Sequence, residues 1–262
     1  MNTFPTNVVH SWRIFDALIE GIRESGKLTD FAAGLHWFAS LKSTSLGLAM
    51  SPAEGRSSVS LAGQVKNRAI RDIAAFSKSW NWADASMGIS AINSWYNDPV
   101  KVMDWVRDSQ LEIQETNAFS HLLPRMKGKR VTIVGHFGGL EPIAAECDLT
   151  ILERNPGGDD IPDPACEYVL PGSDFVILTS TTMLNKTLPR LLELSGNAHV
   201  TLAGPTTTFW PGWFDHGVDM ISGVLIDEPD RVMQLVKEGG SSTFFGRGAR
   251  MVNILNPVAN KA

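Results

Sequence analysis

Five short apolar runs, separated by segments of helical spacing, constrain the second half of this chain more than any other feature. The runs are 130–134, 149–152, 175–179, 199–203 and 220–226. Residues 140–146, 183–194, 209–215 and 229–237 between them read as helices, with a single turn of helix in 162–170. Strands alternating with helices predict a mainly parallel sheet covered on both faces. Right-handed crossovers then carry the C-terminal ends of the strands to one edge, where open α/β sheets bind ligands. The opening stretch, RVTIVGHFGGL at 130–140, is a strand, a glycine turn and the start of a helix. Such a turn can set backbone N–H groups and a helix N-terminus against an anion.

The residues that follow each strand are therefore the candidate site. After the first come Gly135, His136 and Phe137. Phe137 stands where a dinucleotide fingerprint has its second glycine, which argues against NAD or FAD redox chemistry. His136 can serve as a ligand, as a general acid or base, or as a hydrogen-bonded structural residue. After the second strand come Glu153 and Asn155, and Glu153 sits near the spacing of a ribose-binding acid. Its other reading is a carboxylate pairing with Arg154 or capping a helix. Asp159, Asp160 and Asp163 form an oxygen-rich loop that either holds a hard cation or is simply solvated. The third and fourth strands end in hydroxyl clusters, Thr179 to Thr182 followed by Asn185, and Pro205, Thr206 and Thr207. Four hydroxyls exceed what one helix cap needs, so these turns are expected to hold a phosphate, a carboxylate or an oxyanion. The glycine-rich segment 239–248 is read as a loop that can fold over this pocket, with Arg247 or Arg250 reaching an anion.

The first part of the chain reads differently. A helix over 8–25, strands over 28–38 and 45–50, and helices over 67–77 and 83–95 give an α+β layout. Asp84 is the expected cap of the last helix. Its MGISAINS segment mixes small and larger apolar residues, which suits close packing in a core. The expected domains are 1–115 and 116–262. Glu54, in a loop, and Asn93, in that helix, are the first-domain polar residues placed nearest an inter-domain cleft.

Net charge −5 and a pI near 5.7 give no general nucleic-acid surface. No apolar run approaches the length of a membrane span, and the N-terminus does not read as a secretory signal. Two scattered cysteines form neither a disulfide framework nor a CxxC pair, so a cytoplasmic location is the default. A homodimer is expected only because dimers are the commonest soluble oligomers.

VTIVGHF, ERNP, IPDPACEYVLPGSD, TSTTMLNKTL and AGPTTTFWPGWFDHGVDMISG, with MGISAINS before them, occur in order along most of the chain. In these motifs it resembles the family of "putative heavy-metal chelation" proteins. Gly138-Gly139 departs from the bulkier residues usual after the GHF turn. The resemblance implies an N-terminal domain like the α+β domain of enolase, without the enolase metal site, and a Rossmann-like C-terminal domain. It also implies a ligand site in the cleft between them. Two functions follow as expectations. One is binding of a metal ion or metal-containing anion, with His136, Glu153 and Asp163 as metal ligands and the threonine turns holding an oxyanion. The other is a small-molecule lyase or transferase acting on a nucleoside-like or carboxylate ligand, with His136 as its catalytic acid or base. The expected partner is a small molecule or a metal. A metal ion is the one cofactor considered, and its identity stays open.

Overall fold

The computed structural model of the protein describes residues 12–23, 26–52 and 58–256. Glu54 lies outside them. The N-terminal part contains α1 (Arg13–Glu20), the antiparallel strands β1 (Asp30–Ala33), β2 (Trp37–Lys42) and β3 (Ser45–Met50), and the helices α2 (Ile70–Ala74), α3 (Trp82–Tyr96) and α4 (Pro99–Asp108). The strand expected over 28–38 is two strands with a break at Gly34. A Cβ on Gly34 would lie 2.5 Å from the Val236 carbonyl, so the chain turns where it meets the second half of the molecule. The helix expected over 67–77 is shorter, and a 3-10 turn (Ala75–Lys78) replaces its second half.

Helix α3 is the centre of this part, and every residue from Ala83 to Trp95 is buried. Its cap is Asn81, whose side chain accepts from Ala83 N and Asp84 N at 3.0 and 3.3 Å. Asp84, the expected cap, instead accepts from Ser60 N and Ser60 Oγ at 2.8 and 3.0 Å. The small residues act as expected. A Cβ on Gly88 would lie 2.0 Å from Ser77 N, and one on Gly47 of β3 would lie 2.1 Å from Ser94 N. Glycine at both positions lets backbone meet backbone. The hairpin also follows the two-residue alternation of a strand. Phe38 and Ala49 face α3, while Trp37, Ala39, Leu41, Leu46 and Leu48 pack on the other side.

The remaining elements are β4 (Glu112–Gln114), α5 (Ala118–Met126), β5 (Arg130–Val134), α6 (Glu141–Glu146), β6 (Asp148–Glu153), β7 (Ile161–Pro162), α7 (Cys166–Val169), β8 (Phe175–Thr179), α8 (Leu188–Leu194), β9 (His199–Ala203), β10 (Met220–Ile226), α9 (Pro229–Lys237) and β11 (Ala249–Leu255). The helix expected over 209–215 is a 3-10 helix (Pro211–His216). The sheet order is β4-β11-β10-β9-β8-β5-β6-β7, with β5 to β10 parallel and β11 antiparallel to both its neighbours. The five expected runs are all strands of this mainly parallel sheet. The antiparallel β11 and, beyond it, the short β4 extend it. Chain direction across the sheet reverses between β5 and β8, which makes that pair the topological switch point.

The two parts share one core. A single cluster joins Phe15, Met87 and Ile92 to Leu178, Leu202 and Ile254 of the large sheet. A second packs the outer face of the β2–β3 hairpin on Val232, Met233 and Val236 of α9. The polar seam between the parts is the turn after β9. Asn93 Nδ2 donates to Leu48 O at 2.7 Å and to Thr206 O at 2.9 Å, and Thr208 Oγ1 donates to Asn93 Oδ1 at 2.5 Å. Asn97 Nδ2 donates to Thr207 O at 2.8 Å and its Oδ1 accepts from Phe209 N at 2.9 Å.

Asn93 satisfies three buried partners at once, and its removal leaves them unpaired. Asn93→Ala is expected to lower unfolding free energy by about 3 kcal/mol, the sum of desolvated orphans after relaxation. Urea denaturation measures it. A loss below about 1 kcal/mol would mean that the seam contributes little to holding the parts together.

Candidate functional site

The turn 135–139 divides the C-terminal edge of the parallel strands into two recesses. Gly135 adopts φ +96°, and a Cβ there would lie 2.6 Å from Thr179 Cγ2. Only glycine lets the ends of β5 and β8 approach this closely with such a backbone.

On one side lies a polar groove at the switch point, formed by two recesses that share Glu153, Arg154, Thr181 and Asn185. The inner one, about 100 Å³, is also lined by Gly135, Asp163, Cys166 and Thr182. The outer one, about 150 Å³, adds Asn155 and meets the first part of the chain at Met50, Pro52 and Trp82. The guanidinium of Arg154 lies 5.1 Å from the Trp82 ring centroid, and its Nε is 3.4 Å from Asp163 Oδ2. Asn185 Oδ1 accepts from Thr187 N and Thr187 Oγ1 at 3.1 and 2.7 Å. Thr182 Oγ1 donates to Thr179 O at 2.6 Å, while Thr181 and Thr179 share a hydroxyl contact of 3.1 Å. Part of the threonine cluster is therefore spent on capping. Glu153 binds backbone: its Oε2 accepts from His136 N at 2.7 Å and its Oε1 from Arg154 N at 2.8 Å. Burial first, and then the charge of Glu167, push the Cys166 thiol above its ordinary range.

On the other side is a cavity of about 370 Å³, lined by His136, Phe137 and Pro205 together with Trp37, Phe119, Phe245 and Met251. Phe119 and Phe137 meet edge-to-face at 5.3 Å, and Trp37 Nε1 donates to Ser241 O at 2.6 Å. The segment 239–248 does fold beside the cavity, contributing Ser242 and Phe245. Arg250, expected to reach an anion, instead pairs with Glu115 and with Asp227. His136 is half-exposed, and its Nδ1 lies 3.0 Å from Oδ2 of the nearly buried Asp160. Asp160 also accepts from Gly157 N at 3.2 Å. Burial raises its pKa, but the hydrogen bonds from His136 and Gly157 outweigh it and hold the carboxyl below its ordinary value.

The expected residues thus separate into three places. Gly135, Glu153, Asn155, Asp163, Thr181, Thr182 and Asn185 line the groove. His136, Phe137 and Pro205 line the cavity. Asn93, Thr206 and Thr207 form the buried seam, where Thr206 Oγ1 accepts from Met50 N at 3.0 Å and the Thr207 hydroxyl meets Ser180 Oγ at 2.5 Å. Among the described residues, no three His, Cys, Asp or Glu side chains come together as a metal-holding group. Sequence reasoning missed Arg154, read only as a partner for Glu153, and of the aromatic wall it named Phe137 but neither Trp37 nor Phe119. The signal for Arg154 was available, because it follows β6 directly and β6 ends on the binding edge.

Family models described as "putative heavy-metal chelation" match residues 117–255 and 15–96. A crystal structure of a DUF364-family protein of unknown function from Desulfitobacterium hafniense is 33% identical to this chain. It aligns over 94% of this chain and 99% of its own, with a TM-score of 0.86. A second DUF364-family structure of unknown function, from Pyrococcus horikoshii, shares the fold with a TM-score of 0.77 at 20% identity, over 94% and 100% of the two chains. An uncharacterised protein of Methanocaldococcus jannaschii is 26% identical over 187 residues, 68% of this chain and 69% of that one.

Lys186, beside the groove, has φ +68° and donates to Leu184 O at 2.7 Å. Burial lowers its pKa to about 8. The unfolded chain therefore binds more protons between pH 8 and 10.5, and folding stability rises with pH across that window. The stability of the wild type relative to Lys186→Met is expected to increase from pH 8 to 10.5 in denaturant titrations. A flat difference would show that the ammonium is not desolvated.

Proposed function

The chain belongs to the heavy-metal chelation family, and from that premise we propose that it binds a small anionic ligand able to carry a metal, such as a metal carboxylate chelate. The site is the polar groove at the switch point. The observation that carries this reading is that Arg154, Thr181 and Asn185 line both halves of the groove while Glu153, Asp163 and Cys166 lie along the same recess. The first three offer donors to an anion. The others offer a few oxygen and sulfur atoms, from separate elements, to a metal already held by its own chelator. Cys166, with its thiol pushed up, is a poor thiolate at neutral pH, which disfavours a soft-metal site built on it. Asp163 remains a proposed contact for the metal, while His136, on the other side of the turn, faces the cavity.

One observation supports an enzymatic second reading. His136 is held through Nδ1 by Asp160, which leaves Nε2 as the atom available for proton transfer at the cavity. A lyase or transferase using this imidazole would lose turnover in His136→Ala while keeping ligand affinity.

The binding reading is tested by calorimetry on metal-stripped protein, with nickel or zinc citrate, citrate alone and each metal alone. The metal citrate is expected to bind most tightly, and Arg154→Gln to weaken it about tenfold by removing one charge-assisted contact. Equal affinity in Arg154→Gln, or tighter binding of the bare metal, would overturn the proposal.

A further inference from the structure

The cavity on the other side of the turn 135–139 has a chemistry that the anion groove does not explain. Its volume of about 370 Å³ lies in the range of small-molecule sites, roughly 300–1,000 Å³. His136 is its one titratable lining side chain. The walls are aromatic, and two of them are fixed by edge-to-face contacts, Phe119 on Phe137 at 5.3 Å and Trp37 on Phe244 at 5.5 Å. The base is backbone at Gly204 and Gly223 and the side chain of Ser222. Ser222 is 8% exposed, and its hydroxyl has no hydrogen-bond partner among the described residues. In the turn after β9, by contrast, the Thr207 hydroxyl is paired with Ser180 Oγ. The Ser222 hydroxyl faces the recess, and an occupant that displaces water from it has to replace the lost hydrogen bond.

We propose that this cavity binds an uncharged planar heteroaromatic ring, of the size of a purine nucleoside, with Ser222 hydrogen-bonded to its edge. Three features select that class. The rigid aromatic walls favour a flat π-system over a flexible chain. The lack of a fixed charge beside the base selects against a phosphate or carboxylate there. The hydroxyl that faces the recess favours a ring nitrogen or exocyclic oxygen, which an aliphatic chain lacks. Gly138 keeps the way in open, since a Cβ there would meet nothing within 4 Å. His136 stands at the same rim with Nδ1 turned to Asp160. A substituent on the ring would meet that imidazole, and the ring itself would not reach the groove beyond Gly135. The proposal stands apart from the anion reading, because none of the residues shared by the two halves of the groove lines the cavity.

The test uses saturation-transfer NMR and calorimetry on the full chain with adenosine, guanosine and lumichrome as ring probes and decanoate as an aliphatic probe. At least one ring probe is expected to bind and decanoate not to. Ser222→Ala should weaken the bound probe about tenfold, the value of one hydrogen bond to a buried hydroxyl. Ser222→Leu, which fills the base with an apolar side chain, should abolish binding while circular dichroism and thermal unfolding stay those of a folded protein. If Ser222→Leu fails to fold, Phe137→Ala, which removes a wall at the rim, replaces it and should likewise abolish binding. Arg154→Gln should leave ring binding unchanged even where it weakens metal citrate binding, so that the two sites succeed or fail separately. The proposal is overturned if no ring probe binds at millimolar concentration, if decanoate binds more tightly than every ring, or if the bound probe is indifferent to both Ser222 variants.

Discussion

The amides of Asn93 and Asn97 are the contacts on which the rest of the molecule depends. Asn93 sits on a helix buried on all sides and Asn97 ends it, and together they grip the backbone of Thr206, Thr207 and Phe209 in the other half of the chain. Each amide uses both a donor and an acceptor, so the seam contains satisfied polar groups in a core that is otherwise apolar. Domain interfaces without such a seam commonly slide or hinge. Here the hydrogen bonds fix the register of α3 against the β9 turn, while the apolar cluster running from Phe15 to Ile254 supplies the burial. The two recesses inherit that rigidity, because Met50 on the groove and Trp37 on the cavity belong to the hairpin that α3 holds.

The second constraint is the backbone of Gly135. Its positive φ and its closeness to Thr179 bring β5 and β8 together and then part their loops. Ligand sites are expected outside such a switch point. The ends of β6 and β8 and the loops after them leave on one side and carry Glu153, Arg154 and Thr181. The turn residues His136 and Phe137 leave on the other, toward the ends of β9 and β10. One strand end therefore walls two recesses of different chemistry, one polar and one aromatic. Glu153 stabilises this division by accepting from His136 N and Arg154 N, so its carboxylate shapes both turns before any ligand arrives.

Much of this was legible in the sequence, because strands buried on both faces read as plain apolar runs and the residues after them must collect at one edge. The parallel strands, the glycine turn and the groove residues Glu153, Thr181 and Asn185 could be placed in that way. The antiparallel strands could not. Arg250 and Asn253 interrupt the apolar pattern of β11, whose place at the sheet comes from pairing with β10 over seven residues. The seam was missed for a different reason. Hydroxyls and amides look alike in sequence whether they face a ligand or a buried carbonyl, and only packing separates Thr181 from Thr207. The break at Gly34 likewise depends on a distant carbonyl, that of Val236.

An acidic protein is an unexpected host for the anionic ligand proposed for the groove, and the local field accounts for it. With net charge −5, long-range attraction works against an anionic ligand, but it is screened within about 10 Å at ordinary ionic strength. At shorter range the groove is governed by Arg154, which lies against the face of Trp82. That contact favours the guanidinium where it stands and limits the entropy lost when it pairs. Asp163 is 3.4 Å from Arg154 Nε, so an incoming anion competes with it or shares the guanidinium fork. A bare anion gains little from that competition. A metal-bearing one turns it to advantage, because the metal gives Asp163 a new partner as the anion takes Arg154. On the proposed reading, the paired charges of the groove thus favour a metal chelate over either of its components.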